Sequence, residues 1–196
     1  MSHALPAFSS ITARPAPRFL TASIARELGI LLALSVLFPF LIHVLPVPED
    51  AQLGPRLLPI FYAPLLAALW GRVGSAFAVA LLAPWLNWAI TSHPAPPGAI
   101  VMTAQLLGFV AIIRGLLARL GARWFVAAPA YFFAVAVSIA VVAIFPALIR
   151  GQPALPWAAQ TIVTGLPGVA ILVLINWLAL RLYPPGPDGT GGPRTA

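Results

Sequence analysis

The sequence predicts an all-α polytopic membrane protein of six transmembrane helices, the second short and interrupted by prolines. Three observations predict this. First, the chain is 61% hydrophobic and 8% charged, with a mean hydropathy of +0.97. Soluble domains carry about 25% charged residues, so too few charges remain here to cover a soluble core. Second, apolar runs of about 20 residues, the length that crosses about 30 Å of hydrocarbon, recur along the chain. Third, the 11 basic residues are all arginines, and they stand singly at the ends of those runs. That is the pattern of topology markers. It argues against nucleic acid as the partner of a chain with net charge +7, because tracking phosphates needs a contiguous basic stripe. With no cysteine there is no disulfide, thiolate metal site or cysteine nucleophile.

Residues 1–20 hold Ser, Pro and two arginines without a long apolar run. They read as a disordered cytoplasmic tail rather than a signal peptide. The first span is expected from Arg26 to Val47, with Glu27 suited to its N-terminus and a kink at Pro39. His43 lies four residues after Pro39, near the same face and the far interface. Ala25, Gly29 and Ala33 recur four apart, the small-residue row that lets a second helix approach closely in lipid.

The following loop holds Glu49 and Asp50, two of the four acidic residues. The second span, Leu57–Trp70, has only 14 residues and contains Pro59 and Pro64; as a helix it would cover about 21 Å. Short, proline-interrupted spans point toward binding sites, because irregular backbone survives at membrane depth only inside protein or along a cavity. After the Gly71-Arg72-Val73-Gly74 turn, the third span covers Val73–Thr91. It ends in Pro84, Trp85, Asn87, Trp88 and Thr91. An interfacial aromatic belt explains the two tryptophans as well as ligand stacking does. Asn87 should face the interior, since an amide in lipid is costly.

A loop with His93 leads to the fourth span, Gly98–Leu117, which carries Thr103, Gln105 and Arg114. The fifth covers Trp124–Ile149. The sixth covers Leu155–Tyr183, with Gln160, Thr161, Thr164, a Gly165-Leu166-Pro167-Gly168 interruption, and Asn176. Residues 21–183 form a single membrane domain, and residues 184–196 a Pro/Gly-rich disordered cytoplasmic tail.

Six spans place both termini on one side. That side receives Arg14, Arg18, Arg26, Arg72, Arg114, Arg119, Arg123, Arg181 and Arg194, against Arg56 and Arg150 opposite. The bias predicts cytoplasmic termini in a cell (inner or plasma) membrane. In this topology His43, Tyr62, Asn87, Thr91, Thr103, Gln105, Gln160, Thr161 and Thr164 all fall in the outward half, with Ser75, Ser138 and Asn176 as the main exceptions. Polar groups at one depth, drawn from five spans, suggest an outward-facing pocket; helix–helix hydrogen bonding is the alternative. Candidate solute-binding residues are therefore His43, Tyr62, Trp85, Asn87, Trp88, His93, Gln105, Gln160 and Thr164. No embedded acid–base pair, zinc motif or phosphate loop is present, so neither an enzyme nor a resident cofactor or metal is expected.

The stretch Gly54–Gly115 resembles the substrate-binding S component of energy-coupling-factor (ECF) transporters. The resemblance rests on Gly54-Pro55, Leu58-Pro59, Gly71 through Gly74, Pro84 through Asn87, Thr91 through Pro96, Met102 and Gly115, in that order. It covers about a third of the chain. It implies uptake of a vitamin-like or other small micronutrient, with ATP hydrolysed by two partner ATPase subunits. It also implies a T-component membrane subunit docked on the first helix, at Ala25, Gly29 and Ala33, with Gly in the place of a middle alanine. The chain departs from the pattern at Ile60-Phe61, Ser92-His93 and Gln105, where relatives often carry Met-His, Gly-Met and an acidic residue. Fewer polar anchors fit a neutral or anionic solute, or a chain that no longer transports. A non-transporting membrane scaffold or assembly factor is the competing reading, and an intramembrane enzyme a third.

Overall fold

The computed structural model describes residues 22–44, 46 and 53–182. The tails expected at 1–20 and 184–196, and the loop carboxylates Glu49 and Asp50, lie outside them. Seven α-helices make up the described chain: α1 Ala22–His43, α2 Leu53–Leu57, α3 Tyr62–Trp70, α4 Val73–Thr91, α5 Pro96–Leu120, α6 Ala127–Ile144 and α7 Ala154–Leu182. Pro59–Phe61 and Pro146–Ile149 form 3-10 turns. Five helices (α1, α4, α5, α6 and α7) are long and apolar enough to cross a membrane, and Pro59–Trp70 is a shorter apolar segment. Large apolar side chains such as Ile90, Ile144, Leu155 and Val163 lie exposed on the outer faces of three of them. Such a surface suits hydrocarbon rather than water.

Successive long helices pack as an arc, α1 on α4, α4 on α5, α5 on α6 and α6 on α7. The broken segment closes that arc. Its α2 lies against α7, while α3 touches α1, α4, α5 and α7 and so fills the middle. Seven of the nine residues of α3 are buried.

Three ties hold the arginine-rich end. The Arg72 backbone N–H donates to Glu27 Oε1 at 2.9 Å. Arg114 Nη1 donates to Ala68 O at 3.0 Å, supplying an unpaired carbonyl in the last turn of α3. Asn176 Nδ2 donates to Arg123 O at 3.0 Å and to Trp124 O at 2.6 Å. The start of α1, the α3–α4 turn, the α5–α6 loop and the end of α7 therefore share one end of the bundle.

Several sequence expectations need correcting in detail. Glu27 does not serve the N-terminus of its own helix; it lies beyond the first turn of α1, and its carboxylate instead accepts from the backbone N–H of Arg72, the residue before α4. The Gly165–Gly168 stretch does not interrupt the sixth span, for α7 runs unbroken through Pro167. One lost hydrogen bond is tolerable in a helix whose neighbours pack closely on the two glycines. The fifth span is shorter than Trp124–Ile149. Phe145, before Pro146, takes φ −124° and ψ 72°, ending α6, as the steric restriction on a residue preceding proline requires.

Gly71 is one place where a side chain cannot fit. A Cβ there would lie 2.6 Å from Ala67 O and 3.0 Å from Glu27 Oε1. The α3–α4 turn is thereby pressed against α1. Replacing Glu27 by Gln should loosen this clasp by about 0.5 kcal/mol, because the carboxylate is partly exposed and screened. A drop of a degree or two in the detergent-solution unfolding midpoint would register it.

Candidate functional site

The break in the second span follows from its residues. Leu58 adopts φ 54° and ψ 40°, a left-handed conformation uncommon for a branched side chain. Pro59 follows it and opens the 3-10 turn, where a missing N–H costs nothing. The Tyr62 hydroxyl donates back to Leu57 O, stitching across the kink. Helix α7 receives this kink on two glycines. A Cβ on Gly168 would stand 2.6 Å from Leu58 Cγ, 2.8 Å from Arg56 O and 2.8 Å from Leu57 C. Beside it, Gly165 leaves room for the Tyr131 side chain, whose hydroxyl donates to Thr161 O at 3.2 Å. The glycine notch and the left-handed leucine are thus one feature.

The centre of the bundle is aromatic. Phe61 meets Phe109 edge-on at 5.1 Å and Tyr131 at 5.6 Å, and Tyr62 meets Phe38 at 5.5 Å. Each edge-to-face pair adds about 0.5–1.5 kcal/mol beyond area burial. Ile60 and Phe61, the departures from the S-component pattern, are both buried. The position therefore holds core packing.

Asn87 is 2% exposed and faces the interior, as expected. Its Nδ2 donates to Ser35 O and to Ala83 O, both at 2.9 Å. The Ser35 bond has a clear cause. Pro39, four residues on, has no N–H to give the Ser35 carbonyl, and the α4 amide supplies the missing donor. Asn87 Oδ1 is buried without a partner among the described residues. The amide thus serves helix–helix bonding through its nitrogen, and only its oxygen is left for any other role.

Gln105 differs. It is 6% exposed on α5, and its side chain makes no hydrogen bond among the described residues. The hydroxyls near it in depth satisfy their own helices: Thr91 Oγ1 donates to Asn87 O at 2.8 Å, Thr103 Oγ1 to Ala99 O at 2.8 Å and Thr161 Oγ1 to Trp157 O at 2.9 Å. Such back-bonding removes them from the pool of unsatisfied polar groups.

The remaining candidates are dispersed. Trp85 and Trp88 pair edge-on at 6.2 Å, with Trp85 half-buried and Trp88 exposed. His93 is exposed in the α4–α5 loop, where its N–H donates to Thr91 Oγ1 at 3.2 Å. Gln160 is exposed and Thr164 half-buried on α7. The His43 side chain lies outside the described residues. Tyr62 and Asn87 are brought to the same stretch of α1, at Phe38 and Ser35. No hydrogen bond or ring contact among the described residues joins His93, Gln105 or Gln160 to them. No group of three His, Cys, Asp or Glu residues suited to a metal occurs among the described residues.

Ala25, Gly29 and Ala33 lie exposed on α1, away from the buried face formed by Leu31, Ser35 and Pro39. Each row has a spacing of four, and the two rows are about half a helical turn apart. Ala33 also lines an open apolar groove of about 500 Å³ with Leu32, Val36, Leu37, Phe40, Leu86 and Ile90. Sequence reasoning identified this row but missed two structural residues. Ser35 matters through its carbonyl, which only the position of Pro39 betrays. Arg114 looked like a topology marker and also holds the end of α3. No protein-family model, curated protein or solved structure matches this chain.

Proposed function

We propose that the chain is the membrane-embedded solute-binding component of an uptake transporter of the energy-coupling-factor type. The observation that carries this reading is the broken segment Leu53–Trp70, largely buried from Leu58 to Leu69 at the centre of the helical arc. Discontinuous helices at membrane depth typify solute-binding sites, because irregular backbone needs a protein-lined setting. Counted with the five long helices it gives six crossings. Both termini then lie with the arginine-rich end in the cytoplasm of a cell membrane. The solute enters from the opposite end and meets Gln105, Asn87 Oδ1 and the Trp85–Trp88 pair. An aromatic centre with few polar anchors fits a neutral, vitamin-like small molecule.

Energy comes from outside the chain. The exposed row Ala25, Gly29 and Ala33 is the docking face for a T-component membrane subunit that carries two ATPases. Small residues lower the barrier to close helix approach, and this row already points away from the bundle. Affinity purification from native membranes tests the reading. ATPase subunits should co-purify with the wild-type chain, and Ala33→Leu should reduce their recovery about tenfold while leaving the thermal midpoint unchanged. Equal recovery with both chains would remove the docking role. A scaffold reading would keep the partner but bind no solute.

A further inference from the structure

A second groove lies at the arginine-rich end, between the α5–α6 loop and α7. It has a volume of about 410 Å³ and is lined by Trp124, Ala170, Val173, Leu174 and Trp177. From Ala170 to Trp177 the groove follows α7 inward over about 10 Å at 1.5 Å per residue. Both tryptophans are exposed, at 56% and 42%. The wall is held in place, because buried Asn176 donates to the backbone of both Arg123 and Trp124. The groove's polar end is cationic. The Arg181 guanidinium stands 5.2 Å from the Trp177 ring centroid, and Arg123 uses its Nε on Leu120 O.

Among the described residues these charges have no carboxylate partner. Glu27 is the one acidic residue among the described residues, and it accepts from the Arg72 backbone on the α1 side of the bundle. Arg123 and Arg181 are both exposed beside an apolar slot, without a carboxylate partner among the described residues. We propose that this groove holds an anionic phospholipid, with one acyl chain along Ala170–Trp177 and the headgroup phosphate between Arg123 and Arg181. Tryptophan rings suit the headgroup boundary, and basic residues there favour anionic over zwitterionic lipid by about 1 kcal/mol each. The proposal stands whether or not the chain carries a solute.

Native mass spectrometry of the full chain, incubated in detergent with phosphatidylglycerol or phosphatidylcholine, tests it. One phosphatidylglycerol per chain should be retained at least about fivefold better than phosphatidylcholine. Arg181→Gln, and separately Arg123→Gln, should each erase about fivefold of that preference. Arg72→Gln removes the same charge away from the groove and should leave it unchanged. Brominated phosphatidylglycerol should quench tryptophan emission more than brominated phosphatidylcholine, and Trp124→Phe with Trp177→Phe should remove the difference. Equal retention of the two lipids, or equal loss with Arg72→Gln, would overturn the proposal; the latter would reduce the effect to net charge.

Discussion

Replacing Gly168 by leucine is expected to unseat the broken span and to destabilise the protein by about 3 kcal/mol or more. Even the first added carbon would meet Leu58 Cγ at 2.6 Å and two backbone atoms at 2.8 Å. A flexible side chain can turn away, but the Arg56 carbonyl and the Leu57 backbone cannot, so α7 or α2 must shift. Overpacking usually costs about 1–3 kcal/mol, and backbone opposition puts this site at the upper end. For a chain of this size that is a fall of about 6–12 °C in the unfolding midpoint. Gly29→Ala supplies the contrast. Nothing lies within 4 Å of a Cβ there, so helix propensity should make it neutral or up to about 1 kcal/mol stabilising. Similar midpoints for the two variants would mean that the glycine notch does not seat the kink.

The second large effect is expected at Asn87. Asn87→Leu strands the Ser35 carbonyl, which Pro39 has already deprived of its helical donor. A buried unpaired acceptor costs about 1–3 kcal/mol. Helix–helix hydrogen bonds in membranes average nearer 0.6 kcal/mol, and the substitution also deletes the unpartnered Oδ1. About 1–2 kcal/mol is therefore expected. A double-mutant cycle isolates the cause. With Pro39→Ala, the new N–H can close onto Ser35 O, so Asn87→Leu should then cost about 1 kcal/mol less. Unfolding in detergent across the four proteins measures it. Strict additivity would place the role of the amide elsewhere.

Much of this architecture was legible because a bilayer imposes simple rules. Apolar run length marked the five long helices, and single arginines marked their ends. The anomaly of Leu57–Trp70 was visible as a short run with two prolines. What escaped was pairing across helices. Nothing local to Asn87 says that its partner is a carbonyl orphaned by a proline 48 residues earlier. Likewise, Gly165–Gly168 read as a break because glycine and proline are locally helix-breaking. Their packing role depends on Leu58, which is more than 100 residues away in sequence. Of the candidate solute residues, Asn87 turned out to be engaged in structure, and its oxygen alone is spare. Gln105 is a largely buried residue whose amide makes no hydrogen bond among the described residues.

That contrast selects the most direct test of solute binding. Purified without added ligand, the protein is denatured and the released small molecules are identified by mass spectrometry. The wild-type chain should release one compound in near-stoichiometric amount. Gln105→Leu should lose it by about tenfold while unfolding at about the same temperature, since its amide makes no hydrogen bond among the described residues that the substitution could break. Chain that yields no bound compound across growth media, or a Gln105→Leu variant that retains it fully, would contradict the reading.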